Sequence, residues 1–359
     1  MTGCKIPHFG LARQHNNLRE ELLVATDHAL RTGVWINGPN TSEFTDWLAQ
    51  RTKCWYALTT HSGTQALEIM AHFETTRFHG GYKPRINIPN LSYPATLNAF
   101  INADWDIVLK DTDNNGILQY DEVGNEEDYH CIVGLYGAAP QSKFVDAIDY
   151  NKSSVYVDGA QHWLVADGNV GEGMAISFDP TKNLPSSGNG GAIVTNNKDL
   201  YEFAVSYADN GKSSMHNFSG TNSKLSEVDC AHLLVRTLYI DEWQKRRKQI
   251  RLYWLEQFED LPIRCLSRDF EKHSDQKFVI YTQKRDELLG YLMLNGIEAR
   301  VHYQKALSEL PVARPYPSPD MMSMSVMLSR GVLSLPIYPE LTDSEVQYIS
   351  EKLKQFFDK

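Results

Sequence analysis

Lys182 and Asp158 are the residues of this chain whose setting is hardest to explain without chemistry. Lys182 follows the apolar run Met174-Ala175-Ile176-Ser177-Phe178 and the turn Asp179-Pro180-Thr181. Behind it come Ser186-Ser187-Gly188-Asn189-Gly190-Gly191 and a second apolar run, Ala192-Ile193-Val194-Thr195. A lysine between two buried strands, beside glycines that admit another group closely, is poorly explained by solubility. Upstream, Val155-Tyr156-Val157 ends on Asp158, with Gly159, Ala160 and Gln161 after it. An amine can form a Schiff base with an aldehyde, and an acid can keep a pyridine nitrogen protonated so that the ring accepts electrons. Pyridoxal phosphate chemistry needs both.

A phosphate cradle is the third requirement. Trp55–Thr60 reads as a strand, His61-Ser62-Gly63-Thr64 as a turn, and the apolar residues Ala66, Leu67, Met70 and Ala71 as one face of a helix. The free N–H groups of that first turn and the positive end of the helix would face an anion near Gly63 and Thr64. Taken alone, such a turn equally marks an ordinary helix cap.

With these residues in place the chain resembles the DegT/DnrJ/EryC1/StrS family of pyridoxal-phosphate-dependent aminotransferases, most of which aminate a keto sugar carried on a nucleotide. The likeness runs through Ile6–Leu11, Leu30–Pro39, Ser62–Leu67, Pro89–Thr96, Leu135–Gly137, Asp158–Gln161, Ser177–Leu184, Gly220–Glu227 and Val332–Pro339. It implies that Lys182 is the Schiff-base lysine and that Asp158 pairs with the pyridine nitrogen. Gln161 would contact the ring hydroxyl and Tyr93 would stack on the ring, while Gly63, Thr64 and Ser177 would hold the phosphate. Asn222 matches an asparagine that reaches the phosphate of the neighbouring subunit, which implies a homodimer with shared active sites. His302 and Tyr303 match a pair near the substrate mouth, although packing alone explains them equally well. The sequence departs from the family at Gly134, where a histidine is usual, at Gly159, usually alanine, and at Asn189, usually aspartate.

The resemblance implies an α/β fold of type I: a large domain with a mainly parallel sheet over residues 1–240, N-terminal segment included, and a smaller C-terminal α/β domain over 241–359. The residue pattern agrees. Apolar, β-branched strands are predicted at Trp55–Thr60, Ile86–Pro89, Asp106–Lys110, Cys131–Tyr136, Val155–Asp158, Ala175–Phe178 and Ala192–Thr195, with helices or loops between them. From Asn222 to about Phe258 the pattern is helical. A strand at Lys277–Thr282, a helix from Asp286 to Asn295 and a Thr342/Glu345 capping box opening the last helix follow.

Length and composition set the outer limits. The 359 residues are 42% hydrophobic and 22% charged, as in a globular protein. A formal charge of -10 disfavours a general nucleic-acid or anionic-membrane binder. The one basic run, Lys245-Arg246-Arg247-Lys248, is read as a solvated helix face. Five scattered cysteines suggest reduced thiols rather than a disulfide framework or zinc site. No apolar run approaches membrane-spanning length and the first residues lack a leader pattern, so a cytoplasmic protein is expected. Asp111–Glu122 matches the spacing of a calcium loop, but the strand-like residues before it favour a solvated turn, and no metal is expected.

The activity implied is transfer of an amino group from a small amino acid, by family analogy L-glutamate, to a keto-sugar acceptor, with the cofactor alternating between its aldehyde and amine forms (PLP and PMP). Two rivals remain at this level. One is a sugar dehydratase of the same fold, whose members replace the lysine with histidine. The other is a non-catalytic regulatory or binding protein that keeps the fold.

Overall fold

The computed structural model describes residues 6–358 except 78–82, 119–127, 140–154, 169, 267, 269, 271 and 322. Its elements in chain order are α1 (Leu11–Arg31), α2 (Pro39–Thr52), β1 (Tyr56–Thr60), α3 (Gly63–Arg77), β2 (Arg85–Pro89), α4 (Pro94–Asn102), β3 (Asp106–Lys110), β4 (Tyr129–Val133), β5 (Val155–Asp158), β6 (Gly173–Ser177), β7 (Gly191–Thr195) and α5 (Lys198–Tyr207). There follow α6 (Glu227–Thr237), α7 (Ile240–Gln257), β8 (Arg264–Cys265), β9 (Phe278–Tyr281), α8 (Arg285–Leu294), α9 (Met324–Gly331), β10 (Val332–Leu335) and α10 (Asp343–Phe357).

Seven strands form one sheet in the order β1-β7-β6-β5-β4-β2-β3. Pairs from β3 through β6 are parallel, while β7 runs antiparallel to both β6 and β1. Because side chains alternate across the pleat, the apolar strands feed two cores. Cys131, Tyr156, Ala175 and Ile193 pack against α3, α4 and α5 on one face. Their neighbours Ile132, Val157, Met174 and Val194 pack against α1, α2 and α6 on the other. A third core surrounds the smaller sheet β10-β9-β8 and takes Trp254 from α7, Leu288 from α8 and Ile349 from α10. Ile6 joins this third core and bridges to Ile297. Helix α7 connects the cores, since its Trp243 lies in the second and its Trp254 in the third.

Three predicted elements are corrected. The strand expected at Cys131–Tyr136 stops at Val133, and Leu135–Gly137 is a short 3-10 turn with Tyr136 at φ 63°. That turn exists because the Tyr136 N–H donates to Gln161 Oε1 at 2.6 Å and its carbonyl accepts from the Lys277 N–H at 3.1 Å. The helical stretch from Asn222 begins only at Glu227, where the Ser226 side chain caps it by accepting from the Asp229 N–H. In the basic run, Arg247 is buried rather than solvated and donates to the Ile337 carbonyl at 2.7 Å.

The calcium-like segment has other work. Both Asp111 carboxylate oxygens accept backbone N–H groups at the start of α9, from Met324 and Ser325, each at 2.8 Å. Asp113 accepts from the N–H groups of Asn115 and Ile117 and so closes a turn. Residues 119–122 of the pattern lie outside the described residues.

Glu227 is the tie between α2 and α6. Fully buried, it accepts from the backbone N–H groups of Gly38, Asn40 and Thr41 at 2.9, 2.8 and 2.9 Å, and from the side chains of Asn40 and Thr41. These are orphan donors at the start of α2, where a negative charge also meets the helix dipole. Burial pushes the carboxyl up, but the donations from Thr41, Asn40 and Gly38 outweigh it and hold the group below the usual glutamate range. Glu227→Ala is therefore expected to lower the unfolding free energy by roughly 2–4 kcal/mol, through buried N–H groups left without an acceptor. With a folded pKa below the unfolded one, the stabilisation is complete above the unfolded value and fades as pH falls through the folded one. Urea unfolding of the wild type and Glu227→Gln at neutral and acidic pH checks this: the gap between their midpoints should shrink on acidification.

Candidate active site

The carboxyl ends of β1, β2, β5 and β6 point to one side of the large sheet, and a cavity of about 480 Å³ opens there. Loops leaving parallel strands are the common place for such a site, because the strand ends fix the loop residues and leave room above them. Gly63, Thr64, Tyr93, Asp158, Gln161, Ser177, Lys182, His302 and Tyr303 all line it. Asn222 does not. It is exposed outside the cavity of its own chain, where its backbone bridges to Asp209.

Asp158 closes β5. Its Oδ2 accepts from Thr96 Oγ1 at 2.7 Å and its Oδ1 from the Ala160 N–H at 3.1 Å. Since the Thr96 proton is directed at Asp158, the Ser92 hydroxyl 2.7 Å away donates to Thr96. Burial pushes the Asp158 carboxyl up, and Thr96, Ala160 and the charge of Lys182 pull it back. Burial likewise pushes the Lys182 ammonium below the usual lysine range, against the attraction of Asp158 and Asp179. Lowering an amine's pKa raises its share in the neutral, nucleophilic form.

Gln161 ties the floor to the far wall. Its Oε1 is held by the Tyr136 N–H, its Nε2 donates to the Tyr303 hydroxyl at 3.1 Å, and its carbonyl accepts from Ser274 Oγ. Tyr136 in turn donates its hydroxyl to the His302 carbonyl at 2.5 Å, and His302 Nδ1 lies 2.9 Å from Ser334 Oγ on β10. Tyr93, 57% exposed, stands with its ring centroid 5.9 Å from that of Tyr303. At the other end, the Ser62 hydroxyl accepts from the Gln65 N–H at 3.1 Å and opens α3 beside Ser177.

Residues 16–354 match the DegT/DnrJ/EryC1/StrS aminotransferase family. The chain belongs to this family. Among curated relatives it is similar to the "Pleiotropic regulatory protein" of Geobacillus stearothermophilus, 26% identical over 370 residues and 98% of each chain. It is also similar to the dTDP-3-amino-3,4,6-trideoxy-alpha-D-glucose transaminase of Streptomyces venezuelae, 26% identical over 99% of this chain and 97% of that one. Among solved structures, S. venezuelae DesV in complex with a ketimine intermediate superposes with a TM-score of 0.90 at 25% identity, covering 99% of each chain.

Packing explains one departure from the DegT/DnrJ/EryC1/StrS pattern. A Cβ on Gly134 would overlap the ring of His162, which is fully buried. The imidazole that follows β5 here takes the space a side chain at position 134 would need, and burial pushes its pKa down to about 4. Several cavity residues were assigned no role from the sequence. Phe9, Asp179, Lys277 and Arg300 line the cavity, and Thr96 stands directly behind it. Phe9, Thr96 and Asp179 had a signal, their places inside the Ile6–Leu11, Pro89–Thr96 and Ser177–Leu184 runs, whereas Lys277 and Arg300 had none.

Gly63 is a tight contact of the cradle. A Cβ there would lie 2.7 Å from Ser177 Cβ and 3.2 Å from the Ile176 carbonyl, so α3 could not start so close to the end of β6. Alanine improves helix propensity by at most about 1 kcal/mol, whereas overpacking against a strand costs about 1–3. Gly63→Ala is expected to be net destabilising by roughly 1 kcal/mol or more, measurable as a lower urea midpoint; an equal or higher midpoint would show that the two elements can part freely.

Proposed function

We propose that this protein transfers an amino group from an amino acid, by family analogy L-glutamate, to a keto sugar carried on a nucleotide. The enzyme is a pyridoxal-phosphate-dependent aminotransferase. One observation carries the reading: a buried carboxylate and a lysine with a lowered pKa line the same cavity, at the carboxyl ends of adjacent strands β5 and β6. Relatives named as transaminases of dTDP- and UDP-linked amino sugars support the acceptor class.

The residues fit the cofactor. Asp158 is buried with its donors already in place and faces the cavity, which suits a pyridinium N–H; a neutral ring would leave its charge poorly matched. The close approach of Gly63 to Ser177 leaves a narrow cradle at the helix start for a phosphate, with Thr64 at its lip. Gln161 and Tyr303 suit the ring hydroxyl, and Tyr93 would stack on the ring face. When bound, the cofactor supplies an aldehyde that exchanges amines and a ring that accepts the electron pair of a deprotonated carbon. Lys182 Nζ would supply the amine that holds the cofactor and the base that takes and returns the proton at the reacting carbon. Asp158 holds the proton on the pyridine nitrogen, and Thr96 holds Asp158.

The cofactor-binding domain runs to residue 240 and the smaller one over 241–359, with α7 at their junction and Ile6 of the N-terminal segment packed into the core of the smaller one. The working unit is a cytoplasmic homodimer in which Asn222 completes the partner's phosphate site. Its exposure away from its own cavity, together with exposed Trp35, Trp55 and Leu238, supports that assembly. A dehydratase reading fails on Lys182. The relative named as a regulatory protein favours a non-catalytic reading, but a binding protein has no need of Lys182, Asp158 and Gln161 together. Visible absorption of the purified protein, bleached by L-glutamate with release of 2-oxoglutarate, is expected; a colourless protein that cannot be loaded would sink the enzyme reading.

Lys182→Ala should lower turnover by roughly a thousandfold or more while leaving the protein folded, because the lysine supplies both the amine and the proton transfer. Asp158→Asn should retain cofactor yet slow the glutamate half-reaction strongly, and an unchanged stopped-flow rate would remove Asp158 from its role. The dimer is tested by mixing subunits. Heterodimers of Lys182→Ala and Asn222→Ala chains should carry one doubly damaged and one intact site and regain activity above the parental average. No gain in dual-tagged heterodimers, or an active species with the 40.9 kDa mass of one chain, would exclude the shared site.

A further inference from the structure

Lys277 immediately precedes β9, in the smaller sheet. Its side chain is buried, with the residue only 5% exposed, and it lines the cavity. Among the described residues its Nζ makes no hydrogen bond or ion pair; the ammonium lies 5.6 Å from the centroid of the Phe9 ring. The Arg300 guanidinium sits 5.1 Å from the same ring, so Phe9 is flanked by two cations. Arg300 is exposed at the cavity mouth and is matched, because its Nε and an Nη donate to Glu298 at 2.9 and 2.5 Å. Arg247, another nearby cation, is buried on the Ile337 carbonyl. Among the described residues Asp179 is the carboxylate that most favours the Lys277 charge, and its Oδ1 is already engaged by the N–H and hydroxyl of Thr181. Burial and the neighbouring charges of Lys182, Arg247 and Arg300 all act against the ammonium.

An amine in that position is costly as packing. A methionine would fill the volume without a charge to desolvate, and a lysine serving only structure would direct its Nζ to a carbonyl or to water. The missing partner is therefore an anion that enters the cavity. The cofactor's phosphate is not that anion, because its cradle is built by Gly63, Thr64 and Ser177 from the large sheet. We propose that Lys277 anchors a carboxylate subsite for the substrate beside Lys182, with Arg300 as a second cation at the mouth. This rests on the aminotransferase reading. A carboxylate can arrive on the amino-acid donor or on the ring of an acidic keto sugar, and the chemistry of recognition is the same: a charge-assisted hydrogen bond to a largely buried ammonium.

The test uses the cofactor-loaded wild type, Lys277→Met and Lys277→Arg. Calorimetric titration with glutarate, an unreactive dicarboxylate, reads binding directly, and rapid half-reactions read L-glutamate and a pair of nucleotide keto sugars differing only in a ring carboxylate against a hydroxymethyl group. If the donor uses the subsite, Lys277→Met weakens glutarate and raises the glutamate half-saturation by at least about tenfold, with the saturating rate within about threefold and much of the loss recovered in Lys277→Arg. If the sugar uses it, glutamate is unaffected and the preference for the carboxylate-bearing sugar collapses in Lys277→Met. Unchanged glutarate, glutamate and sugar values would overturn the proposal, as would an equal fall in every saturating rate with no change in half-saturation. Visible absorption and the urea midpoint report whether Lys277→Met is folded, and Lys277→Gln replaces it if it is not. A wild type that glutamate fails to convert would instead refute the aminotransferase reading, while glutarate binding would still report on Lys277.

Discussion

The arrangement turns on keeping Asp158 charged inside the protein. A carboxylate withdrawn from water needs donors and a matching cation, or it takes up a proton and loses its use. The donors come from two directions: the Ala160 N–H, fixed by the turn that leaves β5, and Thr96, fixed by α4 and itself supported by Ser92. The turn after β5 is set by the pairing of β5 with β4 and β6, which places Asp158 opposite Val133 and Ala175. The parallel centre of the sheet is thus the device that brings the acid and the lysine loop to one edge. The cores on both faces make that edge rigid.

The same constraint explains how the smaller sheet is docked. Ala139 donates to the Lys272 carbonyl at 3.1 Å, Ser274 to the Gly137 carbonyl at 2.8 Å, and Lys277 to that of Tyr136. These backbone bonds join the segment before β9 to the 3-10 turn after β4. Gln161 grips that turn from below through the Tyr136 N–H. One side chain therefore couples the turn after β5 to the turn after β4, and through Tyr303 to the opposite wall. Misplacing the smaller sheet by a residue would move Lys277, His302 and Tyr303 together, since all depend on that junction or on the bridge between Arg300 and Ser334.

What was legible in the sequence follows from how local each cause is. The strands β3 and β5 lie where the apolar, β-branched runs put them, because a strand buried on both faces leaves a continuous apolar trace. The last helix opens at Thr342 with its capping box, a signal spanning four residues. Lys182 and Asp158 stood out because a charge at the end of an apolar strand is locally anomalous. Glu227 and Arg247 did not, since the partners that justify burying them, Gly38–Thr41 and Ile337, are distant in sequence. The strand expected to continue through Tyr136 had apolar residues to support it; the Gln161 contact that ends it is invisible to periodicity. Lys277 was hidden for a different reason. Beside Phe278-Val279-Ile280 it reads as the polar first residue of a strand, and only the tertiary fold turns it into the cavity.

The charge of the whole chain and that of the cavity have opposite signs. A formal net charge of -10 repels the anionic ligands expected here at long range, but at physiological salt such fields fade beyond about 8 Å. Capture is then governed by what lies inside that distance. Arg300 at the mouth is exposed and already paired, so it can meet an incoming anion by sharing its guanidinium with Glu298. Lys277 and Lys182 are deeper, and burial disfavours the charge of each. An anion reaching them strengthens its own binding, because it supplies the field that holds the ammonium form. The charge of Lys182 also acts against the protonation of Lys277. An anion held at Lys277 would offset both that charge and the burial that act against the Lys277 ammonium.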